Sequence, residues 1–211
     1  MEKCTIFCAG DFDCPAQPIL PGEFVIAADG GLRHLQRLDI LPHTVLGDFD
    51  SLGYCPEGAQ LHPVEKDDTD AMLAVRLGLE QGCREFLLYG GLEGPRLDHT
   101  VANFQTLQFL ADRGAWGYLV GSTQLVTVVK NGGVVFPAGV RGNISVFCLG
   151  PEARGVSLRG LYYPMTGGVL TPGFPLGVSN HFTGEQASVH VEDGSLLLIW
   201  DRSCGFPSRV D

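Results

Sequence analysis

The first part of the chain alternates short apolar runs with longer segments in which apolar side chains recur at helical spacing. Apolar runs typical of buried parallel strands occupy residues 5–9, 24–28, 44–46, 86–89 and 118–120. Between them, residues 71–81 and 100–113 show helical spacing, and the first of these segments stops at Gly82. Strands and helices in alternation predict an open α/β sheet.

After Gly121 the pattern changes to strand-length pieces separated by Gly, Pro and Asn. These pieces occupy residues 125–129, 134–136, 144–148, 187–191 and 196–200. Two dipeptides that favour hairpin turns, Asn131-Gly132 and Asp193-Gly194, lie between pieces. We therefore predict an α/β protein with an N-terminal, Rossmann-like open parallel sheet at residues 1–121 and a smaller C-terminal all-β sandwich domain at residues 122–211.

Acidic side chains are concentrated in the first part of the chain. The 211 residues include 24 acidic and 14 basic side chains, a net charge of −10, which argues against nucleic acid as a partner. Residues 1–120 carry 18 acidic and 8 basic side chains, whereas residues 121–211 carry 6 of each. Eleven of the fourteen aspartates lie in the first part. Because Asp is a poor helix and strand former, this enrichment indicates loops, helix caps or metal ligands.

The composition is that of a globular protein. With 45% hydrophobic and 18% charged residues, the chain can bury a sizeable core. No apolar run approaches the roughly 20 residues of a membrane helix, and Asp11 and Asp13 interrupt the N-terminus before a secretory signal could form. The seven cysteines contain no C-x-x-C pair, and most lie in apolar stretches. We expect a cytoplasmic protein without membrane attachment, disulfide framework or zinc site.

Aspartates recur in four loops that follow predicted strands or open predicted helices. The loops read ADGG at 28–31, GDFDS at 47–51, KDDTD at 66–70 and GGLEGPRLDH at 90–99. In an open parallel sheet, loops at the carboxyl ends of the strands converge on the ligand crevice. We therefore expect these aspartates to share one site.

Carboxylates gathered in one cleft repel each other unless a cation joins them. Short carboxylates on Gly-flanked loops suit hard cations that prefer oxygen ligands, and Mg²⁺ would take further ligands from substrate phosphates such as those of ATP. The spacing of Asp48 and Asp50 directs both side chains to one side of an extended chain, so both can hold one cation. Arg96 and Lys66, the basic residues of these loops, are placed to meet a phosphate.

Each acidic loop also has a purely structural interpretation. Asp29 fits a left-handed turn before two glycines, and Asp67 or Asp68 fits a helix N-cap. Asp70 and Asp98 fit positions that complement a helix dipole. Four such loops in one half of the chain favour a shared metal and phosphate site over four independent accidents.

Two glycine pairs are compatible with phosphate binding, whereas the sequence contains no motif typical of a catalytic nucleophile. The pairs Gly30-Gly31 and Gly90-Gly91 allow backbone N–H groups to approach phosphates, although such pairs also occur in ordinary turns. The sequence has neither a P-loop motif nor a complete dinucleotide fingerprint. Ser51 lacks the G-x-S-x-G context, and His99 fits a cap or packing role better than that of a general base.

As a set, these segments resemble those of the thiamine pyrophosphokinases. The N-terminal segments are ADGG (28–31), LGDFDS (46–51), KDDTD (66–70) and GPRLDHTVAN (94–103). Two later segments, GLYYPM (160–165) and GVSNHF (177–182), are similar to the family's GLKYPL and G-x-SN-x-F segments. The resemblance covers most of the chain, and its specific part is LGDFDS together with R-x-DH.

The resemblance implies an Mg²⁺-dependent transferase that converts ATP and thiamine into thiamine diphosphate and AMP. It also implies a homodimer whose thiamine pocket lies between one subunit's α/β domain and its partner's β-domain. The thiamine hydroxyl would attack the β-phosphorus directly, in agreement with the missing nucleophile motif. The alternatives are an Mg²⁺-dependent phosphohydrolase, a pyrophosphokinase for another alcohol, and a non-catalytic thiamine or nucleotide sensor.

The resemblance further implies roles for individual residues. The implied metal ligands are Asp48, Asp50 and Asp70, and Asp50 or Asp70 would orient or deprotonate the thiamine hydroxyl. The implied catalytic set is Asp48, Asp50, Asp70, Arg96 and Asp98. The implied ATP-binding residues are Asp29, Gly30, Lys66, Thr69, Gly90, Gly91 and Arg96. The implied thiamine-binding residues are Asp50, Ser179, Asn180 and Phe182, with Phe182 or Tyr163 stacking on a ring.

Two positions depart from the family pattern. Met72 stands where many relatives carry Glu, and a position two residues into a helix can face the core. Tyr162 stands where the GLKYPL segment has Lys. None of the principal aspartates is missing from the pattern.

Overall fold

The computed structural model describes residues 2–50, 52–61 and 67–210. The chain divides into two compact units, Met1–Ser122 and Thr123–Asp211. The first unit combines a parallel sheet with helices, and the second is built from antiparallel strands. The predicted fold class is confirmed.

The first unit contains a parallel sheet. Its described strands are β1 (Lys3–Phe7), β2 (Phe24–Ala28), β3 (Thr44–Gly47), β4 (Gln60–Leu61), β5 (Glu85–Tyr89) and β6 (Trp116–Val120). The pairs β1·β2, β1·β5, β2·β3, β3·β4 and β5·β6 are all parallel, so the order across the sheet is β4-β3-β2-β1-β5-β6. Every residue of β2 and of β6 is buried, which explains why these strands read as continuous apolar runs.

The helices of the first unit are α1 (Leu32–Arg37), α2 (Asp70–Glu80) and α3 (Leu97–Ala111). Helix α2 lies close to the sheet because Gly78 has no side chain: a Cβ there would come within 2.6 Å of the Phe86 ring. The two predicted helices are present, and α3 begins at Leu97, three residues earlier than expected. Among the described residues, no helix has both the length and the apolar character needed to span a membrane.

The direction of strand order reverses beside β1. From β1 the chain adds β2 and β3 on one side, and it later returns to place β5 and β6 on the other. The loops that leave the carboxyl ends of β1 and β5 therefore run to opposite sides, and a crevice opens where they separate. These loops begin at Cys8 and Gly90 respectively.

The second unit is an antiparallel β-structure around two long strands. Its described strands are β7 (Gln124–Phe136), β8 (Asn143–Cys148), β9 (Ala153–Arg159), β10 (Met165–Leu170), β11 (Gly177–His181), β12 (Ala187–Asp201) and β13 (Ser208–Val210). The first half of β12 pairs with β9 and its second half with β8, while β7 pairs along both halves. Strands β10 and β11 extend these two sheets from β9 and β8. The long strands thus pass from one sheet of the sandwich to the other.

The two predicted hairpin turns were wrong. Both dipeptides lie inside the long strands, where Val191 pairs with Gly132 and Ser195 pairs with Lys130. Residues 192–194 of β12 therefore face the single residue Asn131, which has φ +45° and accepts a 2.9 Å hydrogen bond from the Gly194 N–H through its Oδ1. The turn-forming residues make a β-bulge, which bends a strand without ending it.

We expect Asn131→Ala to lower the free energy of unfolding by about 1–2 kcal/mol, because Ala loses the hydrogen-bond acceptor and tolerates left-handed backbone poorly. Asn131→Gly also loses the acceptor but accepts the positive φ, so it should lose less stability than the Ala variant. Urea unfolding followed by tryptophan fluorescence measures both. An Asn131→Ala protein as stable as the wild type would contradict this account of the bulge.

Candidate active site

A cleft of about 530 Å³ opens at the carboxyl ends of the parallel strands, within the first unit. It is lined by the loops that follow β1, β2, β3 and β5 and by the first turns of α2 and α3. Eight of the residues implied by the sequence resemblance lie along it: Asp29, Asp48, Asp50, Thr69, Asp70, Gly90, Gly91 and Arg96. Gly30 is buried in the turn after β2 and does not line the cleft, and Lys66 lies outside the described residues.

Three aspartates meet in this cleft. Carboxylate oxygens of Asp29, Asp48 and Asp50 all lie within 4.8 Å of one another, with Asp29 buried, Asp48 half-buried and Asp50 exposed. Three oxygen donors at this separation match what a hard divalent cation requires. Asp29 is thus the third member of this group. Asp70, which the resemblance implied as a metal ligand together with Asp48 and Asp50, lines the same cleft from the start of α2.

The position of Asp29 depends on a tight turn directly after β2. Asp29 has φ +49°, so the left-handed turn considered for it is present and coexists with its place among the carboxylates. Gly47 at the end of β3 makes the close approach possible, because a Cβ there would lie 3.0 Å from the Asp29 Cα. A Cβ at Gly31 would overlap the carbonyl group of Phe7. Gly47 therefore allows the ends of β2 and β3 to approach each other, and Gly31 allows the turn after β2 to approach the end of β1.

Helix α2 begins beside the acidic group. Its N-cap is Thr69, whose Oγ1 accepts a hydrogen bond from the Met72 N–H at 3.2 Å, so the alternative caps considered at Asp67 and Asp68 were wrong. Asp68 instead forms an ion pair with Arg76, with 2.9 Å between Nε and Oδ2. This pair ties the segment before the helix to the helix itself.

The Cys8 thiol lies in the cleft but is not activated. Burial, with a further contribution from the charge of Asp70, raises the pKa of the Cys8 thiol to about 12. A thiol with this pKa stays protonated at neutral pH and is a poor nucleophile. Cys8 is therefore not a candidate nucleophile.

Arg96 and Asp98 form an exposed ion pair at the mouth of the cleft. Arg96 Nε donates to Asp98 Oδ1 at 3.1 Å and its Nη2 donates to Oδ2 at 2.6 Å, while both side chains are 65% exposed. Hydrogen bonding to the guanidinium holds the pKa of the Asp98 carboxyl at about 2. Asp98 itself does not line the cleft and lies in the first turn of α3, where a carboxylate complements the helix dipole.

The loops after β1 and β5 are joined by their backbones. The Gly10 N–H donates to Gly90 O at 3.0 Å, and the Asp11 N–H donates to Glu93 O at 3.1 Å. A Cβ on Gly10 would lie 2.5 Å from Gly90 O and would also overlap Glu93 O, so no larger residue fits. Gly10 and Glu93 both line the cleft but were missed in the sequence. Gly10 belongs to no recognised motif, and Glu93 belongs to the acidic loop at 90–99 but was given no individual role.

Two further cleft residues were also missed as individuals. Thr100 and Asn103 lie three positions apart on α3, and both line the cleft. They belong to the GPRLDHTVAN segment, but their residue types alone gave no signal beyond a helix surface. In the structure, burial distinguishes Asn103 from an ordinary polar residue of a helix surface, because Asn103 is only 6% exposed.

In the second unit, the thiamine-binding residues implied by the resemblance have different surroundings. Asn180 is buried, and its Oδ1 accepts from the Tyr163 N–H at 3.0 Å while its Nδ2 donates to Tyr163 O at 2.8 Å. Phe182 is also buried and packs against Phe136 with ring centroids 4.7 Å apart. Ser179 is exposed, with φ +58°. Asn180 thus fixes a neighbouring loop, and Phe182 belongs to the sandwich core.

Two tyrosines of the loop that Asn180 fixes form an aromatic cluster with the end of β11. The cluster consists of Tyr162 and Tyr163, which are exposed, and His181, which is half-buried. Tyr162 stacks on His181 with ring centroids 4.6 Å apart and an interplanar angle of 22°. Tyr163 meets Tyr162 edge-on at 4.9 Å. Tyr162 and Tyr163 are 59% and 60% exposed, so much of this aromatic surface is open to solvent.

Two family models match the chain, one in each unit. The model of the thiamin pyrophosphokinase catalytic domain matches residues 20–115, and that of the thiamin pyrophosphokinase vitamin B1 binding domain matches residues 136–196. Together they span most of the chain. The chain belongs to the thiamin pyrophosphokinase family. This family assigns it to the transferases of thiamine diphosphate biosynthesis, and the resemblance noted in the sequence is confirmed.

Solved structures of thiamin pyrophosphokinases share the fold. The Bacillus subtilis protein gives a TM-score of 0.83 at 22% identity, with 95% of this chain and 99% of that chain covered. The Geobacillus thermodenitrificans protein gives 0.78 at 24% identity, with 94% and 97% covered. The Candida albicans protein gives 0.72 at 15% identity, with 95% and 88% covered. No curated protein sequence gives a significant match.

The acidic cleft of this thiamin pyrophosphokinase family member depends on the contact between the β1 and β5 loops. We expect Gly10→Ala to lower the free energy of unfolding by about 1–3 kcal/mol, because the added Cβ meets two backbone oxygens that are themselves hydrogen-bonded to the loop after β1. Gly173→Ala is the matched control, since nothing lies within 4 Å of a Cβ at that position. Chemical denaturation of both variants is the measurement, and equal stability would contradict the contact.

Proposed function

We propose that the chain transfers the pyrophosphoryl group of ATP to the hydroxyl of thiamine, giving thiamine diphosphate and AMP. The observation that carries this proposal is the group of Asp29, Asp48 and Asp50 in a cleft at the point where the strand order reverses. Family membership supplies the substrates, and the acidic group supplies a place where a polyphosphate and its metal can meet. The acidic group favours an enzyme over a non-catalytic sensor, because a sensor has no need to align the β-phosphorus of ATP.

The metal of the proposed reaction is Mg²⁺, held by the same three aspartates. Their fit rests on the donor set: three carboxylate groups within 4.8 Å, and oxygen is the ligand atom that Mg²⁺ prefers. When bound there, Mg²⁺ would supply positive charge that offsets the charge of the polyphosphate. The remaining chemistry is assigned to side chains and backbone of this chain.

In the proposed transfer the thiamine hydroxyl oxygen forms a bond to the β-phosphorus. The bond between that phosphorus and the oxygen that bridges to the α-phosphorus breaks, and AMP leaves with the bridging oxygen. Asp50 or Asp70, which both line the cleft, accepts the hydroxyl proton. Arg96 lies at the mouth of the cleft in an exposed pair with Asp98. In the proposed transfer its guanidinium turns from Asp98 towards the phosphates, with which it can form charge-assisted hydrogen bonds. Thr69 contributes a further polar group beside the phosphates.

Thiamine recognition is assigned to the aromatic cluster of the second unit. Flat rings such as those of thiamine stack on exposed aromatic side chains, and Tyr162 and Tyr163 are both more than half exposed. We further propose a homodimer in which a second copy of the chain covers this surface and completes the thiamine pocket. Val169, Phe174 and Leu176 are also exposed apolar residues of the second unit, which supports an additional partner surface there. Seven free cysteines support a reducing, cytoplasmic place of action.

The first experiment measures AMP release from ATP and Mg²⁺ with and without thiamine, and follows thiamine diphosphate in the same reaction. Equal amounts of AMP and thiamine diphosphate are the expected result. ADP with thiamine monophosphate would instead mean transfer of the γ-phosphoryl group. Phosphate release that ignores thiamine would mean a hydrolase, and thiamine binding without turnover would mean a sensor.

We expect Asp48→Asn to reduce turnover by about 100-fold or more, because it removes a charged metal ligand from a loop. The fold should persist, since Asp48 is half-buried and contributes no apolar core. Asp39→Asn is the matched control, because it removes the same single charge outside the cleft. Asp39 is exposed, has φ +55° and does not line the cleft. Wild-type turnover in a folded Asp48→Asn protein would contradict the metal assignment.

We expect Tyr162→Ala to raise the KM for thiamine by about 3- to 10-fold with little change in kcat, because a stacking surface is lost while the transfer site is untouched. Tyr162→Phe keeps the ring and should retain the wild-type KM. Steady-state kinetics with thiamine as the varied substrate is the measurement. An unchanged KM in Tyr162→Ala would remove this cluster from the proposed pocket.

A further inference from the structure

Two side chains of α3 hold carbonyl groups of the β5–α3 loop, defined here as residues 90–96. Asn103 Nδ2 donates to Gly91 O at 2.6 Å, and Thr100 Oγ1 donates to Leu92 O at 3.0 Å. Asn103 is buried, so its amide is held in this orientation. These bonds turn two successive carbonyls of the loop towards the helix.

The two neighbouring carbonyls of the same loop are held from the other side. Gly90 O accepts from the Gly10 N–H, and Glu93 O accepts from the Asp11 N–H. All four carbonyls from residue 90 to residue 93 are therefore occupied by donors of this chain. A free carbonyl oxygen would repel an anion, and occupied carbonyls are not available to do so.

Occupied carbonyls fix the direction of the N–H groups that follow them. In a planar trans peptide the N–H points opposite to the carbonyl of the same unit, and the described residues contain no cis peptide. The N–H groups of Leu92 and Glu93 therefore point away from α3, whereas those of Gly91 and Gly94 point away from the loop after β1. None of the four donates a hydrogen bond to the described part of the chain.

Satisfied carbonyls and unused N–H groups together favour an anion. Gly91 is buried and lines the cleft, and a buried N–H requires an acceptor. Successive backbone N–H groups in a loop form an anion-binding site when no carbonyl intervenes. The one acidic side chain of the loop, Glu93, accepts from Ser122 Oγ at 2.7 Å and from the Ser122 N–H at 3.0 Å, which holds that carboxylate in place.

We propose that Thr100 and Asn103 are positioning residues that hold the β5–α3 loop with the N–H groups of Leu92 and Glu93 directed at the polyphosphate of the nucleotide. They act through the carbonyls of Leu92 and Gly91. This inference rests on the proposed function for the identity of the anion, whereas the arrangement of the loop is independent of it.

The test uses the full chain, labelled with ¹⁵N, and α,β-methylene-ATP with Mg²⁺, an analogue in which the bond broken by pyrophosphoryl transfer is replaced. Titration should shift the amide resonances of Leu92 and Glu93 in the wild type. Thr100→Val, which removes the donor at nearly constant volume, should weaken analogue binding by about 3- to 10-fold. Thr100→Ser keeps the donor and should bind the analogue as the wild type does.

Asn103→Leu provides a second variant, expected to weaken analogue binding by at least as much as Thr100→Val. Thiamine affinity should stay unchanged in both variants, a selectivity that a general loss of structure would not produce. Unaltered analogue affinity in Thr100→Val, or equal losses in Thr100→Val and Thr100→Ser, would overturn the proposal. Amide shifts confined to other loops would overturn it while thiamine-dependent AMP release still supported the enzyme. Loop shifts without such release would uphold the positioning role and remove the proposed reaction.

Discussion

The architecture of the cleft depends on how closely two stretches of backbone approach each other where the strand order reverses. The loops after β1 and β5 run to opposite sides of the sheet, yet the Gly10 N–H still reaches Gly90 O. That distance leaves no room for a side chain on Gly10. Divergence opens a space for a ligand, and backbone contact prevents the space from widening. The positions of the β5–α3 loop and of the first turn of α3 both follow from this contact.

Charge in the first unit is arranged around the same cleft. The unit carries most of the acidic side chains of the chain, and three of them are brought within 4.8 Å at the ends of β2 and β3. Other ionisable groups nearby are made unreactive or are paired: the Cys8 thiol stays protonated, and Glu93 is held by Ser122. The cleft thus contains one concentrated negative region, suited to a cation, beside the β5–α3 loop, for which we propose an anion-binding role.

Much of this arrangement could be predicted from the sequence because its signals are local. Short carboxylates beside glycines after apolar runs predicted the loops at Asp29 and Asp48, and helical spacing predicted α2 and α3. Other features depend on tertiary structure and gave no local signal. Asn131-Gly132 has the residues of a turn, but pairing with β12 keeps the strand continuous. Asn180 looked like a ligand-reading amide, but burial commits it to the backbone of Tyr163. Strand β4 and helix α1 are too short to show a period.

The exposed pair of Arg96 and Asp98 has a consequence for the order of events at the cleft. Side chains at a protein surface change rotamer within picoseconds to nanoseconds, whereas typical enzymes turn over in about a millisecond to a second. A guanidinium held at 65% exposure can therefore leave and regain its carboxylate many times within one catalytic cycle. Salt screens such a pair, so the population of unpaired arginine rises with ionic strength. Asp98 thus holds the Arg96 guanidinium at the mouth of the cleft without imposing a kinetic barrier on the movement of this side chain.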